Sequence, residues 1–271
     1  MKKSLFILLF VFLKTTAFAK LNVIVSIQPQ VEFLQKIGGE MVDITLMVPI
    51  GKSPHTYEPK ATQMRAITKA DLYLAIGVEF EKIWLDRFLN QNHHLIIKDL
   101  SKDINKSNTI SNPHIWVDPI MVKKIAQNIY HALISVDKAH QDYYQENLNN
   151  YLKELDLLDH QIKEILKSTP KGTAFMVFHP AWDYFAKRYH LQQLAIEIEG
   201  KSPKPRELIS IIKRAKKEHI KAIFTQPEFS DQMAQTIAKT LHIKVIKTSP
   251  LSKDWAENLK NLADAIAQGK K

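Results

Sequence analysis

Short apolar runs and amphipathic segments alternate along this chain. Residues 21–27 are rich in Val and Ile and predict a buried strand, and 42–48, 71–76 and 95–98 predict three more. Between them, 31–37, 62–69 and 80–89 carry apolar residues at helical spacing. Gly38-Gly39 ends the first of these, and Trp84 and Phe88 share one face of the last. Strands separated by helices of this length predict βαβ units and a mostly parallel sheet.

The middle reads differently. No glycine or proline occurs from Ile120 to Leu166. Apolar residues recur at Ile125, Ile129 and Leu133, then at Leu148, Tyr151, Leu152, Leu155, Leu158, Ile162 and Ile165. A break near 135–140 predicts two helices, the second over 139–166 and ~40 Å long at 1.5 Å per residue. The pattern lasts too few heptads for a coiled coil. The α/β alternation then resumes, with strands at 174–178, 194–198, 221–225 and 244–246. Helices are predicted at 182–189, 205–218 (Pro205 in its first turn), from a Ser230-Asp231 cap to about 240, and at 254–267. The expected fold class is α/β: two lobes with mostly parallel sheets flanked by helices, joined by one long rigid linking helix. The boundaries are 20–137 for the first lobe, 138–167 for the linking helix and 168–271 for the second lobe. Open parallel sheets bind ligands beyond the carboxyl ends of their strands, which places a site in the cleft between lobes.

The first 19 residues stand apart. Lys2 and Lys3, the uncharged apolar run 5–13 and Ala17-Phe18-Ala19 predict a secretory signal peptide at 1–19, cleaved before Lys20. The formal charge of +10 falls to +7 once Lys2, Lys3 and Lys14 are removed. The remaining basic residues, such as Lys213, Arg214, Lys216 and Lys217, lie along amphipathic helices, so a solvated face explains them and no nucleic-acid partner is expected. The sequence contains no cysteine, hence no disulfide, no thiolate ligand and no cysteine-borne lipid. The expected location is the bacterial periplasm, soluble and not lipid-anchored. Residues 101–111 are polar and read as a loop.

Three histidines occupy matching settings at strand ends or in Pro-bounded loops. They are Ser53-Pro54-His55-Thr56-Tyr57-Glu58-Pro59, Asn112-Pro113-His114-Ile115-Trp116-Val117-Asp118-Pro119 and Phe178-His179-Pro180-Ala181-Trp182. A lone loop histidine is usually a surface residue, but three at equivalent structural positions predict converging imidazoles. Such a set suits a borderline-soft cation, zinc above all. His55 and His114 come from the first lobe and His179 from the second, so one ion would clamp the cleft. Of the other eight histidines, His131, His140, His160, His190, His219 and His242 fall on predicted helices or their ends and read as solvated. His93-His94 precedes a short strand.

These three motifs, together with Phe224-Thr225-Gln226-Pro227-Glu228-Phe229 and Gly77-Val78-Glu79-Phe80-Glu81-Lys82-Ile83-Trp84, resemble the zinc- and manganese-binding periplasmic solute-binding proteins of ABC transporters (the cluster A-I family, zinc-uptake type). The likeness runs in order over the whole mature chain. It implies two α/β lobes on a rigid backbone helix. It also implies one divalent ion, carried as transported substrate to an ABC permease in the inner membrane, with the carrier acting as a monomer. His55, His114 and His179 match the family's first three ligands. Histidine rather than carboxylate at the third favours Zn2+, with Mn2+ as the alternative. The chain departs from the pattern at Ser249, where the family commonly has aspartate. Water, Glu228 or Asp254 are then candidates for the fourth position. Gln226 and Glu228 also stand exchanged relative to the usual Glu-Pro-Gln order. The His-rich loop of many zinc-specific members has no counterpart in 101–111.

A zinc metallohydrolase is the remote alternative, since three histidines and an open position also describe catalytic zinc. Glu228 would be its general base. No His-Glu-x-x-His spacing supports it, and no enzyme activity is expected.

Overall fold

The computed structural model describes residues 20–104, 112–197 and 201–269. The predicted signal peptide at 1–19 and most of the polar loop at 101–111 lie outside the described residues.

The first lobe is built from β1 (Leu21–Val25), α1 (Gln28–Gly38), β2 (Val42–Leu46), α2 (Ala61–Ile67), β3 (Leu72–Ala75), α3 (Glu79–Gln91) and β4 (Ile96–Asp99). Its sheet runs β2-β1-β3-β4, every pair parallel. A short 3-10 turn, Ile115–Val117, leads into α4 (Pro119–Val136), which Asp118 caps by accepting from the Ile120 N–H at 2.8 Å. After a further 3-10 turn, Lys138–His140, comes α5 (Gln141–Ile165). The second lobe follows with β5 (Ala174–Val177), α6 (Asp183–Arg188), β6 (Gln192–Ala195), α7 (Pro205–Lys217), β7 (Ala222–Thr225), α8 (Gln232–Leu241), β8 (Lys244–Lys247) and α9 (Trp255–Gln268). Its sheet runs β6-β5-β7-β8, again all parallel. Both lobes therefore wind the same way, each with its strand order reversing between its first and third strands. That reversal opens a crevice at the carboxyl ends, where open α/β sheets place ligands.

The linking helix is a packed spine. Tyr144, Leu148, Tyr151, Leu155, Leu158 and Ile162 recur every three or four residues and are all buried, one apolar stripe on a helix about 37 Å long. It packs on α1, α4 and α9. The last helix, α9, thus returns to the spine and buries Trp255, Leu259, Leu262, Ala263 and Ile266 there. One core consequently runs from Val25 and Leu74 through Ile129 and Leu155 to Trp182 and Trp255. Alternation along the second sheet divides its side chains. Phe175, Val177 and Phe224 join this shared core, whereas Met176, Phe178 and Ile223 face a smaller one with Ile211, Ala234 and Ile237.

Two expectations are corrected here. The strand expected at 194–198 is seated two residues earlier, at Gln192–Ala195. As an edge strand, β6 tolerates Gln192 and Gln193 outside the core, and Gln193 Oε1 accepts from the Trp182 N–H at 2.7 Å. Asp231 stands at the start of α8, yet its side chain makes no cap bond. Its carboxylate pairs instead with Lys247 at 2.8 Å. Among the described residues, no helix is long and apolar enough to cross a membrane.

Candidate metal site

His55 lies in the loop between β2 and α2, His114 just before the 3-10 turn that opens α4, and His179 two residues past β5. Each is set by local chemistry. Ser53 Oγ accepts from the His55 N–H at 3.3 Å, and Asn112 Oδ1 accepts from the His114 N–H at 3.1 Å. The Phe178 N–H is bound by Phe224 O at 2.9 Å, so His179 leaves the sheet between the second lobe's first and third strands.

The three rings gather around His179. Ring centres are 5.4 Å apart for His55 and His179 and 5.3 Å for His114 and His179, with interplanar angles of 73° and 71°. A tetrahedral ion with N ligands at 2.0–2.1 Å would hold neighbouring ring centres roughly 5 Å apart. Among the described residues, however, no three or more His, Asp or Glu side chains are gathered as a ready-made metal centre. The rings face a common space without converging fully on one point.

Two of the rings are fixed through Nδ1, and the third has a carboxylate near the same nitrogen. His179 Nδ1 is 2.9 Å from Glu197 Oε2, His114 Nδ1 is 2.7 Å from Asn112 Oδ1, and His55 Nδ1 is 3.3 Å from Glu79 Oε2. For His179 and His114 the partner is an acceptor, which assigns the proton to Nδ1 and leaves Nε2 with its lone pair. His179 Nε2 is buried with no partner. Imidazoles oriented by an acceptor on the far nitrogen are the usual form of a metal-ligating histidine. Burial is the main cause that holds His114 well below the usual imidazole range and lowers His55, and neighbouring His179 adds to both. Both rings are therefore neutral at pH 7.

The cavity is lined by His55, Glu79, His114, His179, Gln226 and Glu228, with Trp116, Phe229, Pro250 and Leu251 as apolar walls. Its volume is about 20 Å³, room for one water or ion. Glu228 Oε1 accepts from Ser249 Oγ at 2.8 Å, whereas Glu228 Oε2 and Gln226 Oε1 are buried without partners. Burial raises the Glu228 carboxyl, offset in part by the Ser249 bond. Of the candidates for a fourth position, Glu228 lines the cavity. Asp254 does not: it stands at the start of α9.

Two residues escaped the sequence reading. Glu197 was hidden inside the strand expected at 194–198, although an acid among Leu194, Ala195 and Ile196 is itself a signal of a buried partner. Backbone bonds from Ile196 N to Val177 O and from Glu197 N to Phe178 O, each 2.9 Å, carry it alongside His179. Glu79 was noted within its motif without its link to His55. Glu81, from the same motif, is structural. It is buried and accepts from the N–H groups of Ile76 (2.9 Å) and Gly77 (2.6 Å) and from Ser26 Oγ. Gly77 sits at φ 93°, which a side chain would strain, so the turn that presents Glu79 needs glycine there.

Comparison with known proteins agrees with this architecture. The chain resembles the high-affinity zinc uptake system protein ZnuA of Bacillus subtilis, 26% identical over 83% of this chain and 76% of that one. It also resembles the manganese ABC transporter substrate-binding lipoprotein PsaA of Streptococcus anginosus, 23% identical over 94% and 90%. A crystal structure of ZnuA superposes with a TM-score of 0.88 at 37% identity, covering 92% of this chain and 98% of that one. The family model for zinc-uptake complex component A, periplasmic, matches from residue 23 to 269. Since that is nearly the entire chain, this protein belongs to that family of substrate-binding transport proteins.

Proposed function

We propose that this protein captures a single zinc ion in the periplasm, on His55, His114 and His179, and hands it to an ABC-type permease as cargo. The observation that carries the reading is the placement of the three rings. All three line one ion-sized cavity, His179 and His114 have Nδ1 hydrogen-bonded to an acceptor, and the Glu79 carboxylate stands 3.3 Å from His55 Nδ1. Neutral imidazoles offer lone pairs without an electrostatic cost, and three of them favour zinc over manganese, which prefers oxygen-rich sites. Relatives named for zinc and for manganese both occur, and manganese is the second reading for that reason. Capture and release need no catalytic group.

The test is calorimetric titration of metal-stripped 20–271 with zinc, followed by competition with manganese. The expected result is one-to-one binding that manganese does not displace. In His114→Ala the affinity falls by orders of magnitude while the metal-free melting curve is retained. Equal competition by manganese would overturn the zinc assignment, and unchanged affinity in His114→Ala would overturn the site.

A further inference from the structure

Three imidazoles fill three positions around an ion that prefers four. The cavity wall beyond them holds two buried oxygens without a partner, Glu228 Oε2 and Gln226 Oε1. The other cavity carboxylate, Glu79, stands 3.3 Å from His55 Nδ1, and Glu197 is hydrogen-bonded to His179. Glu228 thus stands out as a charged group with one oxygen fixed and one not.

The fixed oxygen is held in a defined way. Ser249 Oγ accepts from the Leu251 N–H at 3.0 Å, so its own proton is directed to Glu228 Oε1, 2.8 Å away. Ser249 is only 8% exposed. Glu228 directly precedes Phe229, whose ring stacks on His179 at 5.0 Å and 24°. The loop after β7 therefore packs on the central imidazole and brings a carboxylate to the same cavity. Glu79 and Glu197 would face a bound dication only from behind the rings of His55 and His179. A carboxylate in direct contact would offset half of its charge.

We propose that Glu228 is the fourth ligand, its Oε2 closing on the ion while Ser249 positions the other oxygen. The proposal rests on the three-histidine reading of the site. Binding draws Oε2 in by rotation of a side chain that nothing holds on that side. It also explains why a serine serves at 249. An aspartate there would set a second carboxylate against Glu228 within hydrogen-bond distance, and two such charges do not both ionise readily. The anionic ligand and the small hydroxyl form a matched pair, and exchanging them should preserve the site.

The test uses metal-stripped 20–271, zinc affinity by competition with a chromophoric chelator, and the visible d–d absorption of the Co2+-loaded protein. Glu228→Gln is expected to bind zinc one-to-one but at least about 100-fold more weakly, beyond the range typical of outer-shell changes, and to shift the cobalt spectrum. Ser249→Ala should cost about tenfold or less and keep a wild-type-like spectrum, as a positioning residue would. The double variant Glu228→Gln/Ser249→Asp should recover most of the lost affinity. Metal-free melting curves verify that each variant is folded, and Glu228→Asp, which keeps the charge, provides a second probe of the cobalt spectrum. Zinc affinity within twofold of wild type in Glu228→Gln, with an unchanged cobalt spectrum, would overturn the proposal. So would a spectrum that moves with Gln226→Ala but not with Glu228→Gln. Failure of the underlying reading looks different: His114→Ala would then leave zinc affinity unchanged.

Discussion

Burial that neutralises an imidazole prepares it for a metal and also costs stability in acid. His114 and His55 are held below the ordinary imidazole value, first by desolvation and then by the neighbouring ring of His179. An unfolded histidine takes up its proton near pH 6.5. As pH falls through that value the unfolded chain gains protons that the folded site refuses, so folding stability declines until the lowered folded values are reached. Urea melts of metal-free protein at pH 7.5 and 5.5 should show this decline, and it should be smaller in His114→Asn. An equal decline in both would place the proton uptake elsewhere. Zinc competes with the same protons and should weaken over the same range. The partner of His179 has a separate effect. Glu197→Gln keeps an acceptor but loses the charge, and a fall in zinc affinity of roughly 10-fold is expected by chelator competition. The three histidines were legible because proline and strand-end context marks a ring held in place. Their partners were less so. Asn112 sits two residues from His114 in a visible Asx pattern, but Glu197 meets His179 only through the pairing of β5 with β6, which local sequence does not encode. Asp254 stands at the start of α9 and is not among the cavity-lining residues, a placement that local sequence does not encode.

At the scale of elements, three histidines read only as solvated helix-end residues have a shared structural task. His190, His219 and His242 follow α6, α7 and α8 at φ 55°, 52° and 54°. Each N–H returns to a carbonyl three residues back, and the next residue, Leu191, Ile220 or Ile243, returns to one five back. This is the Schellman ending in triplicate, with histidine in the left-handed position that glycine usually takes. His242→Gly is expected to raise stability by about 1 kcal/mol, measured by thermal melting with zinc affinity unchanged. A lower melting temperature would show that the imidazole contributes contacts. The helix periods and strand runs were legible because each matches one burial pattern. The seating of β6 was not, because an edge strand need not be apolar. Nor was the link between α5 and α6. Asp159 on the spine takes both Arg188 Nε (2.9 Å) and Nη2 (2.8 Å), with Tyr189 OH at 3.1 Å and Lys163 at 2.7 Å. These donors hold the Asp159 carboxyl below its usual range against the opposing effect of burial. Arg188 is partly exposed, so Asp159→Asn should cost about 1–3 kcal/mol rather than the larger loss of a fully buried pair, read by urea denaturation at pH 7. A cost under a few tenths would show that the spine is held to α6 by apolar packing alone.

Two lobes and a cleft suggest a hinge, but the whole molecule is tied across the gap beside the site. Trp116 Nε1, two residues from His114, donates to Pro250 O at 2.8 Å, next to Ser249. Trp255 Nε1 donates back to Trp116 O, also at 2.8 Å. The shared core runs beneath both bonds. Closing the cleft as a rigid-body hinge would break paired, buried polar groups and slide packed apolar surface. Drawing three rings and a carboxylate onto an ion needs only local side-chain motion. Zinc should therefore leave the radius of gyration from small-angle scattering unchanged within error. A clear contraction would establish a hinge. Trp116→Phe then isolates the tie. It keeps an aromatic wall and leaves the Pro250 carbonyl without its partner, at a cost of about 1–3 kcal/mol. Amide exchange at 112–118 and 250–255 should quicken in the metal-free variant. Zinc at a hundred times its Kd adds about 2.7 kcal/mol to the folded state. Because His114 and His179 stand on opposite sides of the gap, that ion should restore protection to both segments together. Protection regained on one side alone would mean that the metal does not bridge the lobes.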